Sequence, residues 1–592
     1  MNSKFTILLF AFTLIFLKNI FGNEIVYVSP VNEAEYVMPM SNIIVTFKDT
    51  IEFDHSLLKI KLHANSLGDL NGSLIFASDK KTVIFDPQLT FLVNDTVTVK
   101  IFLNENGSDK LLKDFKFYCV KDVIPIHNRI KILKQIRESD YSAISNFQNI
   151  PKADTLPVGF PFINVLTNIN PSEGYIFTAN IPRNRDYKPY LMIIDNSGVP
   201  VFYREMPNTC FDFKIHDNGL MSYFLDGADK YYIMDSTYTV IDSVETQFGY
   251  ESDNHELLFL ENGNVLLFSY DVQAVDMSQI VPGGPEGSSV IGVIIQEIDP
   301  DKNVVFQWRS WDNFEITDAD NINLFTSKID FCHANAIEID YDDNILISSR
   351  NMSEITKINR RTGEIMWRLG GKNNEFTFLN DPIGFRYQHA IRKTPTGTYT
   401  LFDNGNLHSP PFTRVVEYRL DQVNKTAELV WEYKENPPSF SPAMGYAERL
   451  ENGNTTINWG LSSKGYVEVT PDKQKVFEFE LEQPNWMYRA MRRSLNKSNG
   501  NETPGSYVIT NNYPNPFNSG TTIFVSLTKT SNVSLKIYNI LGQKVATLLN
   551  NITQNQGNHR IPFDATGFSS GMYFYQLTVD GVNYSHKMVL KK

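Results

Sequence analysis

Cysteine is nearly absent from this chain: Cys119, Cys210 and Cys332 are the three among 592 residues, odd in number and far apart. That excludes a disulfide framework and leaves them as small buried hydrophobes. Surplus positive charge is missing too. With 54 Lys and Arg against 67 Asp and Glu, the formal net charge is -13, which argues against nucleic acid or an anionic membrane as the main partner. An anionic substrate would have to meet a small local basic site. No GxxxxGK[ST] or GxGxxG stands between a strand and a helix, so no nucleotide site is legible. The longest apolar run, Phe5 to Leu17, is too short to span a bilayer comfortably. Preceded by Lys4 and followed by Gly22, it has the shape of a signal peptide over residues 1–22.

What the chain does have is β-strand pattern. Hydrophobic residues make up 42% and aromatics 13%, enough for several packed domains. NIIVTFKDTI, KTVIFDPQLTFL and DTVTVKIFL, broken by polar turns, read as an N-terminal immunoglobulin-like β-sandwich over 23–122. A more helical connector follows over 123–173.

Residues 174–495 carry an internal repeat. Strand–turn–strand elements such as YLMIIDNSGVPVF and ITKINRRTGEIMW alternate with hairpins such as HELLFLENGNVLLFSY and HANAIEIDYDDNILISSR. Two hairpins per unit make a four-stranded blade, and six units describe a six-bladed β-propeller. The first blade is expected to close by pairing GYIFTAN with strands near MYRAMRRSL. A polar linker, 496–509, then leads to a small C-terminal β-sandwich over 510–592. The expected fold class is therefore all-β.

Three of the repeated hairpins open with histidine: His255 in DNHELLFLENGN, His333 in CHANAIEI and His389 in RYQHAIRK. Equivalent positions in a repeat converge on one mouth of the channel. Alternation along a strand puts His333 and Asn335 on one face. A turn centred on Asp342 and Asp343 would bring Arg350 opposite Asn335. Tyr446 and Trp459 lie in the matching hairpin of the next unit, where they would either stack on an aromatic substrate or simply pack. Three imidazoles would suit zinc. However, Arg350 would oppose a cation and no carboxylate belongs clearly to the set, so no metal is assigned. Transfer of a compact anionic group such as a sulfuryl fits better. Arg350, Asn335 and two histidines would hold its oxygens, and a neutral imidazole would serve as covalent nucleophile.

On NHELLFLENGN, the HxN of HANAIEI, the following SSRN, and QHAI ahead of LFDNGN, the stretch Leu156 to Leu495 resembles the bacterial aryl-sulfate sulfotransferases. These are six-bladed propellers that pass a sulfuryl group from a phenolic sulfate ester to another phenol without a nucleotide donor. The resemblance implies His389 as nucleophile, forming a sulfohistidine, with His255, His333, Asn335 and Arg350 holding the sulfuryl oxygens. It implies no cofactor, and as partners an aryl sulfate donor and a phenolic acceptor. Which of His255 and His333 handles the proton stays open, as does whether the protein forms homo-oligomers. NYPNPFN, LKIYNILGQKVATL, GFSSGMYFYQL and the terminal KMVLKK resemble the C-terminal sorting domain of proteins exported by the type IX system of Bacteroidetes. That implies the type IX machinery as a partner and a secreted or cell-surface location. Two alternatives stand beside this reading: a non-catalytic propeller that binds glycans or sulfated ligands, and a metal-dependent propeller hydrolase or lyase.

Overall fold

The computed structural model describes residues 24–125, 128–133, 156–493 and 508–592, apart from 53, 106, 514–516, 528–529, 541, 556 and 581. The expected signal peptide, residues 126–127 and 134–155 of the connector and nearly all of the linker lie outside the described residues. Within them the chain is all-β. Helix is confined to a short stretch at 128–133 and a few single 3₁₀ turns.

Between Ile163 and Arg493, among the described residues, strands form six sheets of four or five members. Their inner strands are Cys210–Ile215, Ser252–Phe259, Ala334–Ile339, His389–Lys393, Tyr446–Arg449 and Asn485–Arg493. Each touches the next in that order, and the last touches the first, so the six form a closed ring. Strands close to the ring are covered on both faces, which is why Ile345–Ser349 and Tyr190–Ile194 are buried at every position instead of alternating. Each large aliphatic side chain so buried contributes about 1.5–3 kcal/mol. Strands at the rim, such as Val240–Val244, face solvent.

The expected pairing of GYIFTAN with MYRAMRRSL is present: Tyr175–Pro182 runs antiparallel to Asn485–Arg493. One boundary differs from expectation. Ile163–Asn168, inside the stretch read as connector, pairs with Lys475–Leu481 and covers the outer edge of the last sheet.

Ahead of the ring, two four-stranded sheets share one apolar core that includes Phe47, Val97, Val99 and Phe117. Leu58–Ala64 shows the strict in–out alternation of a half-buried strand. This module rests on the ring through the Tyr27 hydroxyl, which bonds the Gln307 carbonyl, and through Arg309, whose Nη2 donates to the Tyr36 carbonyl at 3.1 Å. After the ring, a three-stranded and a four-stranded sheet enclose a separate core around Ile523, Leu535, Ile537, Tyr575 and Leu577.

Candidate active site

The inner strands are irregular where they carry polar residues. Register shifts fall between Phe211 and Lys214, Ser252 and Leu257, Ala334 and Ala336, and His389 and Arg392. A bulge adds a residue on one strand and re-aims its side chain, a device common beside active sites. It also corrects the expected register. Ala334 pairs with Ser349 and Ala336 with Ser348, so Asn335 is the extra residue. Arg350 consequently lies opposite His333, its N–H bonding the His333 carbonyl at 3.0 Å. His333 is not within the strand: it sits just before it with φ +48°, outside the alternation that would have faced it with Asn335.

The three histidines come together. The His255 and His333 rings lie 5.3 Å apart, edge to face, and Tyr270 stands 5.6 and 5.7 Å from them, its hydroxyl donating to the Ala334 carbonyl at 2.7 Å. Arg350, His333 and His255 all act electrostatically on His389.

Their Nδ1 partners set them apart. His255 pairs with buried Asp253, and His333 with Asp330 at 2.6 Å. A carboxylate offers only an acceptor there, so Nδ1 of each ring carries a proton. His389 instead meets the side-chain oxygen of Asn404 at 2.7 Å. The Asn404 amide donates to the Ser441 and Met444 carbonyls at 2.8 and 3.0 Å, which fixes Oδ1 as acceptor. Nδ1 of His389 therefore carries the proton, and Nε2 keeps its lone pair. Burial first, then the Arg350 charge, holds His389 well below the ordinary imidazole range, so it is neutral near pH 7. Gly405, next to Asn404, has φ +67° and its Cβ position lies 2.0 Å from the Phe412 carbonyl oxygen, so this turn admits no side chain.

Arg350 is held by three groups. Its Nη1 donates to Asn351 Oδ1 at 2.9 Å, its Nη2 to the Pro442 carbonyl at 3.1 Å, and its guanidinium lies 4.7 Å from the Tyr387 ring centroid. Its buried Nε has no hydrogen-bond partner, and neither has Asn335 Oδ1. Asn335 Nδ2 donates to the Gln388 carbonyl at 2.8 Å.

Further along the inner strands lies a second polar group in which every charged side chain contacts an opposite one. Glu256 meets Lys214, Arg392 and Arg489, while Asp212 meets Lys214 at 2.8 Å and Arg489 at 2.9 Å. Burial pushes the Glu256 carboxyl up, but the three cations override it and hold it ionised. Tyr446 belongs here, 5.2 and 5.8 Å from the Arg392 and Arg489 guanidinium carbons. Trp459 packs against Phe402, the strand partner of His389, and has no exposed surface. Tyr446 is likewise buried to 1% exposure. The structure thus gathers His255, His333, Asn335, Arg350 and His389, and leaves Tyr446 and Trp459 in packed interiors.

The fold and this site describe an all-β ring holding Arg350 beside a neutral and two carboxylate-paired histidines. The chain belongs to the arylsulfotransferase (ASST) family, whose model matches residues 148–496. A secretion system C-terminal sorting domain matches residues 511–591. The chain is 30% identical over 168 residues to the arylsulfate sulfotransferase AssT of Escherichia coli O6:H1, covering 22% of this chain and 28% of that one. It is 28% identical over 185 residues to AssT of Lelliottia amnigena, covering 25% and 31%. The chain thus spans less than a third of each of these relatives. Among solved structures, the virginiamycin B lyase of Staphylococcus aureus superposes with a TM-score of 0.30 at 12% identity, covering 62% of this chain and 96% of that one. At that score the likeness carries no argument. Among the described residues, no helix is long and apolar enough to cross a membrane.

Proposed function

We propose that this chain is an aryl-sulfate sulfotransferase, a six-bladed propeller that passes a sulfuryl group between phenols through a sulfohistidine on His389. The observation that carries the reading is the division of the three histidines by partner: an amide for His389, carboxylates for His255 and His333. A nucleophile needs a lone pair at neutral pH, whereas an acid must hold a proton until the leaving oxygen needs it.

His389 Nε2 attacks sulfur, the S–O bond to the aryl group breaks, and the departing phenolate takes a proton from His255 or His333. A second phenol returns that proton to the same imidazole as its oxygen attacks sulfur, and the N–S bond breaks. Arg350 offers fixed positive charge to the sulfuryl oxygens as negative charge redistributes. Phenols suit both half-reactions because their ordinary pKa, about 10, makes them workable leaving groups once protonated. The chain would reach the cell surface or medium through an N-terminal signal peptide and then the type IX machinery, read by its sorting domain.

The test is mass spectrometry with peptide mapping, kept at neutral or alkaline pH, after brief exposure to a simple aryl sulfate. A sulfuryl adduct on His389 that disappears when phenol is added is the expected result. Phenol release with no adduct would overturn the covalent route, and no release at all would favour a binding protein.

A further inference from the structure

We propose that Arg489, on the strand that closes the ring, positions the nucleophile through Asn335; the proposal rests on the sulfuryl-transfer reading above. Arg489 is buried, and its Nη1 meets Asp212 Oδ1 at 2.9 Å and Glu256 Oε2 at 2.8 Å. Its Nη2 turns the other way and donates to the backbone carbonyl of Asn335 at 2.7 Å. Asn335 is the bulge residue, displaced from the regular ladder of its own sheet. Its side chain continues the line: Nδ2 donates to the Gln388 carbonyl at 2.8 Å, and the next residue is His389.

Gln388 is held in turn from the neighbouring sheet. Its Nε2 donates to Ser348 Oγ at 3.1 Å and to the Glu354 carbonyl at 3.0 Å. The peptide that carries the nucleophile is therefore held by three strands of one adjoining sheet, and one of those contacts traces back to Arg489.

Charge balance alone does not require an arginine at this position. Asp212 and Glu256 already face Lys214 and Arg392. Glu338 lies 4.0 Å from Arg392 at the edge of the group, its carboxyl pushed up to about 7 by burial, with Arg392 opposing that rise. What Arg489 adds is geometry. A planar guanidinium serves acceptors from three different inner strands at once, which an ammonium cannot do with fixed directions. Positioning of this kind matters because a displacement of about 1 Å at the reacting group can cost about 10²-fold in rate.

The experiment compares Arg489→Lys with Asp212→Asn. The lysine variant keeps the charge but cannot hold the carboxylates and the Asn335 carbonyl together. The asparagine variant disturbs the same charge group and leaves the Asn335 contact. Arg489→Lys is expected to slow single-turnover sulfurylation of His389 by about 10²-fold with the KM for donor within about 3-fold. Asp212→Asn is expected to slow it far less at a comparable loss of thermal stability. Amide hydrogen exchange across Gln388 to Ile391 is expected to quicken in Arg489→Lys and not in Asp212→Asn. If Arg489→Lys does not fold, Asn335→Ala cuts the next link and should quicken exchange over the same four residues.

Rate losses that merely follow stability in both variants, or exchange at Gln388 to Ile391 unchanged by cutting either link, would overturn the proposal. Exchange needs no turnover. A wild-type protein that fails to transfer sulfuryl would therefore sink the reading of function, while exchange still decides the positioning role.

Discussion

Two polar clusters share the same inner strands and are built on opposite terms. In the one around Glu256, three cations converge on a single carboxylate and Asp212 takes two of them, so the charges are paired within the protein. In the one around His389, buried Arg350 Nε and Asn335 Oδ1 lack hydrogen-bond partners. Buried polar groups are rarely left unmet without a reason. The comparison teaches that the saturated cluster ties inner strands together across the ring, whereas the unsaturated one holds the groups proposed to meet the sulfuryl oxygens. Burying charge alone does not separate them; what does is whether the protein supplies every partner.

The sharpest way to break this contrast is His389→Ala. It should reduce aryl-sulfate turnover by at least about 10³-fold while leaving much donor binding intact, measured by phenol release and by calorimetric titration. Equal loss of binding and turnover would return the site to a binding role.

Next come Asp253→Asn and Asp330→Asn, each of which makes a carboxylate-paired histidine resemble His389. The variant acting on the proton-carrying histidine should slow transfer from poorly leaving phenols by about 10² and hardly affect nitrophenyl sulfate. A plot of rate against leaving-group pKa would then choose between His255 and His333, which the residues alone leave open.

A smaller effect is expected from the converse exchange, Asn404→Asp. In the wild type, His389 stays neutral as pH falls through the ordinary histidine value of about 6.5, so its acid limb should lie below that. Over the same range the unfolded chain gains a proton there that the folded one does not, so this residue's contribution makes stability fall as pH drops. A carboxylate beside Nδ1 should raise the His389 pKa and move the acid limb of the sulfurylation rate upward. An unmoved limb would detach the limb from His389.

Least of all should follow from Trp459→Phe. A smaller ring in that packed interior should cost about 2 kcal/mol of stability and leave kcat/KM unchanged, checked by denaturant unfolding alongside turnover. A selective rise in KM for the phenolic acceptor would support the stacking role instead.

Much of this was legible because repeats announce themselves. Strand–turn–strand spacing sufficed for the all-β class, and the histidines at matching hairpin starts did fall together. The pairing of Tyr175–Pro182 with Asn485–Arg493 followed from the need to complete the first sheet. What escaped was local backbone irregularity. Alternation with period two cannot foresee the bulge at Asn335 or the positive φ of His333, so Arg350 was set opposite the wrong residue. Asp253 and Asp330 stand only two and three residues before their histidines, a signal that was available. Asn404 lay inside the LFDNGN stretch, but its tie to His389 depends on a turn brought across from the next strand. Arg489 carried no signal at all, being an arginine among others near the chain's end.

The bond that closes the ring has a consequence for time as well as for shape. The Thr178 hydroxyl donates to the Arg489 carbonyl across a sequence separation of 311 residues. Contacts so remote form late, because the intervening chain must first surrender its freedom. A growing or threading chain therefore holds its three histidines long before it holds a working arrangement of them. The cluster should stay unassembled until the last inner strand arrives.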